Sequence, residues 1–139
     1  ARDSNAGGAG TTSAGLAFGG KEPSPAVTGN TESWNGSAWS EVNNMNDDRR
    51  QLVGTGTQTS ALAFSGEDPG TGSKTSTESW NGTNWSNVEN LSTGRVVADG
   101  SGASNTSALC FGGATALTAT EEWDGTGFII ETLTTTSDN

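Results

Sequence analysis

The stretch Thr77-Glu78-Ser79-Trp80-Asn81-Gly82-Thr83-Asn84-Trp85 decides how the chain is read. It sets an Asn-Gly pair between two aromatic-bearing runs. Asn-Gly favours the tight type I′ turn, whose twist matches that of two paired strands, so the stretch is expected to be a β-hairpin. The same pattern stands 46 residues earlier as Thr31-Glu32-Ser33-Trp34-Asn35-Gly36-Ser37-Ala38-Trp39. It returns 43 residues later as Thr120-Glu121-Glu122-Trp123-Asp124-Gly125-Thr126-Gly127-Phe128. A hairpin written three times in register marks a repeat, and periods of roughly 20–50 residues imply solenoids or propellers.

Upstream of each hairpin lies a second recurring text. Leu16-Ala17-Phe18-Gly19-Gly20 is followed by Leu62-Ala63-Phe64-Ser65-Gly66 and Leu109-Cys110-Phe111-Gly112-Gly113, at steps of 46 and 47 residues. The Leu and the Phe lie two apart and so share one face of a strand. The closing glycine, kept in every unit, can take positive φ where the chain leaves the strand. Arg2, Arg49 and Arg95 open the units, which run over about 2–48, 49–94 and 95–139 of one repeat domain spanning 1–139. Each unit is expected to hold four short strands: a Gly/Ala/Val-rich one, clearest at Gln51-Leu52-Val53-Gly54-Thr55-Gly56, then the Leu-x-Phe strand, then the hairpin pair. No window carries the apolar period of a helix. The fold class read from these patterns is all-β.

Composition narrows the function. Of 139 residues, 29% are hydrophobic and 21 are Gly, a profile that suits disorder until five Trp and four Phe are found at fixed spacing. The net charge of −10 argues against nucleic acid, which calls for a basic stripe, and against anionic membranes. No run approaches the roughly 20 apolar residues of a membrane span, so no membrane insertion is expected. The chain has no His and no Tyr, which removes the commonest general base and the usual transition-metal ligand. Cys110, the single cysteine, has no His to activate it and stands where Ala17 and Ala63 stand, as a small residue of a packed strand. The chain is therefore read as no enzyme, with no cofactor, no catalytic residue and no metal site. Asp47-Asp48 and Glu67-Asp68 are acidic pairs, but no Asp-x-Asp-x-Asp-Gly calcium loop appears, and they read as solvated loop charges.

The ordered series of arginine, Leu-x-Phe strand, glycine pair, variable loop, aromatic, turn and aromatic resembles the Kelch repeat. Gly19-Gly20 and Gly112-Gly113 match the family's glycine doublet, while the second unit has Ser65-Gly66. Trp34, Trp80 and Trp123 stand where the family usually has Tyr, and Trp39, Trp85 and Phe128 stand at its Trp. The resemblance implies three four-stranded propeller blades, completed into a ring by self-association or by further blades, since about four to eight are needed. It implies a blade core of Trp34, Trp39, Trp80, Trp85, Trp123 and Phe128, with Phe18, Phe64 and Phe111. The hairpin is shorter than in typical Kelch repeats, and the units are rich in Gly, Ser, Thr and Asn. In this the chain is similar to Kelch-like arrays in virion and tail proteins of marine and cyanobacterial phages.

Two readings of the repeated charges stand side by side. A ring of arginines could clamp an anion. Alternatively, Arg49 and Arg95 form structural pairs with the equally repeated Glu32, Glu78 and Glu121, or bond to backbone carbonyls. For function, the constant strands contrast with divergent loops at residues 21–30, 67–74 and 114–119, and loops on a rigid scaffold commonly carry recognition. The expectation is an extracellular, virion-borne adhesion module, on tail or capsid, binding a host-surface glycan or protein, with Glu67, Asp68 and Lys74 as its candidate recognition loop. Its other partners would be copies of itself or other virion proteins. The alternatives are a purely structural decoration protein and an intracellular Kelch interaction scaffold.

Overall fold

A computed structural model describes residues 4–23, 26–114 and 118–131; Arg2 lies outside the described residues. Those residues form strands and no helix, in three antiparallel sheets of four strands and one small hairpin. β1 (Gly7–Gly10), β2 (Gly15–Phe18), β3 (Thr31–Trp34) and β4 (Trp39–Val42) pair in that order. β5 (Val53–Thr57) and β6 (Ser60–Phe64) are followed by a hairpin of β7 (Glu67–Asp68) and β8 (Gly72–Ser73). β9 (Thr77–Trp80) and β10 (Trp85–Asn87) complete the second sheet. β11 (Asp99–Ser104), β12 (Ser107–Phe111), β13 (Thr120–Trp123) and β14 (Phe128–Glu131) make the third. Each sequence unit thus supplies one sheet, and strand order within a sheet follows chain order.

The alternation of side chains along β6 explains how the sheets stack. Ala61 and Ala63 face back towards the first sheet and share a cluster with its Leu16 and Phe18, with Met45 after β4 and with Trp80 of their own sheet. Leu62 and Phe64 face forward and pack with Ala108, Cys110 and Trp123 of the third. The middle sheet is therefore buried on both faces, and large residues on one sheet meet small ones on the next, with the Trp ring filling the remaining gap. Along one edge β1, β5 and β11 lie side by side. Glycine is required at that edge: a Cβ on Gly54 would stand 2.5 Å from the Gly8 carbonyl oxygen, closer than any such contact allows.

The hairpin turns depart from expectation in their geometry. A type I′ turn needs positive φ at both central residues. Here only the glycines Gly36, Gly82 and Gly125 have it, at 95°, 95° and 93°, and not the Asn or Asp before them. The loops instead hold four residues, since Trp34 pairs with Trp39, Trp80 with Trp85 and Trp123 with Phe128. Asn81 serves through its side chain: its Oδ1 accepts from the backbone N–H groups of Thr83 and Asn84, at 2.9 Å each. Asn35 and Asp124 do the same in their units. This is the local bonding that makes Asn and Asp common in turns, by a route other than left-handed backbone.

The glycine pair after the Leu-x-Phe strand is left-handed at both positions. Gly19 and Gly20 have φ of 64° and 106°, and Gly112 and Gly113 have 69° and 124°. Ser65 is held at 62° in the same place, with its buried hydroxyl lacking a hydrogen-bond partner. The N–H of Gly20 donates to the Arg49 carbonyl, and that of Gly66 to the Arg95 carbonyl, at 2.8 and 2.9 Å. The second glycine of the first two units therefore ties its sheet to the opening arginine of the next.

Candidate recognition surface

The two ends of the sheets differ in kind. One end carries the short turns, and there the indole N–H groups of Trp34, Trp80 and Trp123 donate to the carbonyls of Thr12, Gln58 and Asn105, at 2.9–3.0 Å. Gln58 and Asn105 also reach back to the preceding sheet. The Gln58 amide donates to Ser33 Oγ and the Trp34 carbonyl, and the Asn105 amide to Ser79 Oγ and the Trp80 carbonyl. These latches escaped the sequence reading, although Gln58 and Asn105 stand 47 residues apart, in register. Their different residue types hid a shared role.

The other end holds the variable loops, and beneath them the charges of the second and third units, Arg49 with Glu78 and Arg95 with Glu121, are internal, while Glu32 of the first unit is half-buried. Arg95 and Glu121 are 1% and 0% exposed and meet at 3.0 Å; Arg95 also donates to the carbonyls of Gly112 and Ala119. Arg49, fully buried, lies 3.5 Å from Glu78 and donates to the Ala63 carbonyl. Burial lowers the pKa of Arg49, opposed by the charges of Glu78 and Asp47. The carboxylates hold neighbouring backbone as well: Glu78 accepts from the N–H groups of Asn46 and Asp47, and Glu121 from that of Ser92. These arginines are spent inside the scaffold and offer no anion clamp at the surface.

The loop singled out for recognition is partly a strut. Glu67 accepts two hydrogen bonds from Arg50, at 2.9 and 2.7 Å. Asp68 caps its own turn through the Gly70 N–H, and Lys74 donates to Asp47. Burial alone would raise the Asp47 carboxyl, but hydrogen bonds from Lys74 and Ser76, with the charges of Lys74 and Arg49, hold its pKa below the ordinary value. What this loop presents to solvent is its tip, residues 69–73, all exposed. Residues 115–117 of the third loop lie outside the described residues.

Beside the loops, two cavities occupy equivalent places on consecutive sheets. One of about 370 Å³ is lined by Asn30, Thr31, Glu41, Val42, Asn43 and Asn44. The other, of about 470 Å³, takes in Ser76, Thr77, Asn87, Val88 and Asn90, with Asp47 and Lys74 at its side. Both offer amide, hydroxyl and carboxylate groups. Among the described residues no three His, Cys, Asp or Glu gather as metal ligands would. Cys110 is buried, and desolvation pushes its thiol up to about 12.

The aromatics expected in the core divide into two groups. Phe18, Phe64, Trp80, Trp85 and Trp123 are buried, and Trp34 and Phe128 are half-buried. Trp39 and Phe111 are corrections, being 52% and 38% exposed. The reason is positional: Trp85 is covered by Phe18 of the preceding sheet, and Phe64 by Phe128 of the following one. The first described sheet has no predecessor to cover Trp39, and the third has no successor to cover Phe111.

No protein-family model matches the chain, and no curated protein sequence matches it. Solved structures do match in three dimensions, 113 chains among them, so the architecture is a recurrent one. One is described as the structure of YjhT, with a TM-score of 0.72 and 15% identity, covering 92% of this chain and 45% of that one. The chain thus spans less than half the length of that neighbour, and at such identity the likeness concerns fold alone: the protein is an all-β repeat chain sharing its sheet arrangement with YjhT.

Proposed function

We infer that the three sheets are successive Kelch-like blades of a β-propeller, and that the chain is a non-enzymatic adhesion module. Its rim loops contact a host-surface glycan or protein from the outer surface of a virion, on tail or capsid. The observation that carries this reading is the division of labour at the loop end. Arg49 with Glu78 and Arg95 with Glu121 sit buried and bonded beneath the loops, and Gly20 and Gly66 each bond to the next arginine's carbonyl, while the loops above them differ in length and sequence. A rigid base under divergent loops is the arrangement on which recognition surfaces are commonly built. The two polar cavities add support for a hydroxyl-rich ligand, since their amide groups are already held in place: the Oδ1 atoms of Asn44 and Asn90 accept from the N–H groups of Thr31 and Thr77.

The test is binding of the purified chain to intact bacterial cells and to a broad glycan panel. Residues 69–72 are replaced by Gly-Ser, leaving Glu67, Asp68 and Lys74 to hold the loop's base. Saturable binding that falls with the replaced tip supports the reading. A folded chain that binds neither cells nor glycans turns the assignment to a structural decoration of the particle, a role favoured by the apolar side chains exposed on the outer sheets.

A further inference from the structure

The joint between sheets occurs twice inside the chain, and each of its halves is also present once without a counterpart. At the first joint the Phe18 ring stands edge-on to Trp85 with centroids 4.8 Å apart; at the second, Phe64 stands edge-on to Phe128 at 6.0 Å. The position of Trp85 and Phe128 is filled in the first sheet by Trp39, and that of Phe18 and Phe64 in the third by Phe111. Leu109 and Ile129, 40% and 51% exposed, flank Phe111. The polar half of the joint is altered: the exposed Thr12 stands where Gln58 and Asn105 stand, and Glu122 where Ser33 and Ser79 accept from them, while the Trp123 carbonyl takes the place of those of Trp34 and Trp80.

We propose that a second copy of this chain covers both faces, the Phe111 side of each copy packing on the Trp39 side of the other, so that two copies close six units into a ring. The inference rests on the propeller arrangement given above, not on the ligand. Two points favour a second copy as occupant. The two exposed faces differ from each other, yet Phe111 of one with Trp39 of the other repeats the Phe18–Trp85 pair of the first joint, which is the complementarity that rotational closure needs. Six units fall within the range of about four to eight at which propellers close. Each copy carries a net charge of −10, so pairing should strengthen as salt screens the repulsion.

The test is sedimentation velocity with light scattering on the full chain, Trp39→Glu and Phe111→Glu, each checked for its β-sheet far-UV signature. Both substitutions fall on exposed side chains, so the fold itself should survive. The expected result is a particle of twice the 14.0 kDa chain mass for the wild type, more populated at high salt, and a single-chain mass for either variant. An equimolar mixture of the two variants should pair again at raised concentration, since one of its two joints keeps both aromatics. A wild type that stays at one chain mass, or grows with concentration into ever larger assemblies, overturns the proposal. So does a loss of pairing with Trp39→Glu alone, which would mean Trp39 faces meeting each other. A single-chain protein that still binds cells would remove the pairing and leave the adhesion reading standing.

Discussion

Trp39 and Trp85 occupy one repeat position in two environments, and truncating each to Ala separates the chemistry of the residue from the effect of its neighbour. Trp85 is 6% exposed, tilted against Trp80 at 5.3 Å and edge-on to Phe18, and its indole N–H donates to the Thr31 hydroxyl at 3.0 Å. A buried Trp removes on the order of 200 Å² from water, worth about 5 kcal/mol at roughly 25 cal/mol per Å². Large-to-small core changes of this kind cost about 3–5 kcal/mol. Trp39 has its hairpin partner Trp34 as ring neighbour, at 5.4 Å, and keeps 52% of its surface in water. Trp39→Ala should therefore cost about half as much or less, on the order of 1–2 kcal/mol. The assay is urea unfolding in a Phe111→Glu background, which keeps any second copy off the Trp39 face, with midpoints compared at equal m-value. Equal losses at the two positions would refute the idea that the neighbouring sheet decides burial.

Four further outcomes are expected. Ser65→Gly should raise stability by about 1 kcal/mol or more, because it removes a side chain from left-handed backbone and a buried hydroxyl without a partner; Val97→Asn, at a φ of 54°, should act in the same direction, and a lower unfolding midpoint for both would contradict the strain. Arg95→Met alone strands the buried Glu121 carboxylate and should cost about 3–5 kcal/mol, whereas adding Glu121→Gln should recover a good part of the loss in the same unfolding assay. Acid should weaken the protein in part through Asp47: its lowered folded pKa contributes stability that is present above the unfolded value and lost as pH falls through the folded one, so Asp47→Asn should flatten the acid limb of the stability profile. Cys110, pushed up to about 12 and buried, should resist a thiol reagent at pH 8 in the native protein and react at once in denaturant; stoichiometric labelling of the native chain within minutes would contradict its placement.

Much of the fold could be read from the chain because its period forces equivalent residues into equivalent places. The strands, their order and the sheet assigned to each unit follow from Leu-x-Phe, the glycine doublet and the paired aromatics. Two things could not be read that way. Burial of a repeated aromatic depends on whether another sheet lies opposite, a property of neighbours that identical text in Trp39 and Trp85 cannot express. The contacts between sheets were hidden for another reason: Gln58 and Asn105 perform one task with side chains of different length, and Asn46 bonds to Glu78 across 32 residues. At the candidate surface the acidic and basic residues of the variable loop were visible as charges, but their engagement with Arg50 and Asp47 depends on residues from the linker before β5. What this loop leaves open to solvent is its uncharged tip.

The central claim is that every sheet uses one face for a Leu-x-Phe pair and the other for a small-residue and Trp surface, so that one joint repeats along the chain. A crystal structure of the full chain tests this most directly. Phe18 is expected edge-on to Trp85 and Phe64 edge-on to Phe128, with the Arg95–Glu121 pair buried beside the second joint. Sheets splayed apart, with Trp85 as open to solvent as Trp39 and water reaching Arg95, would contradict it.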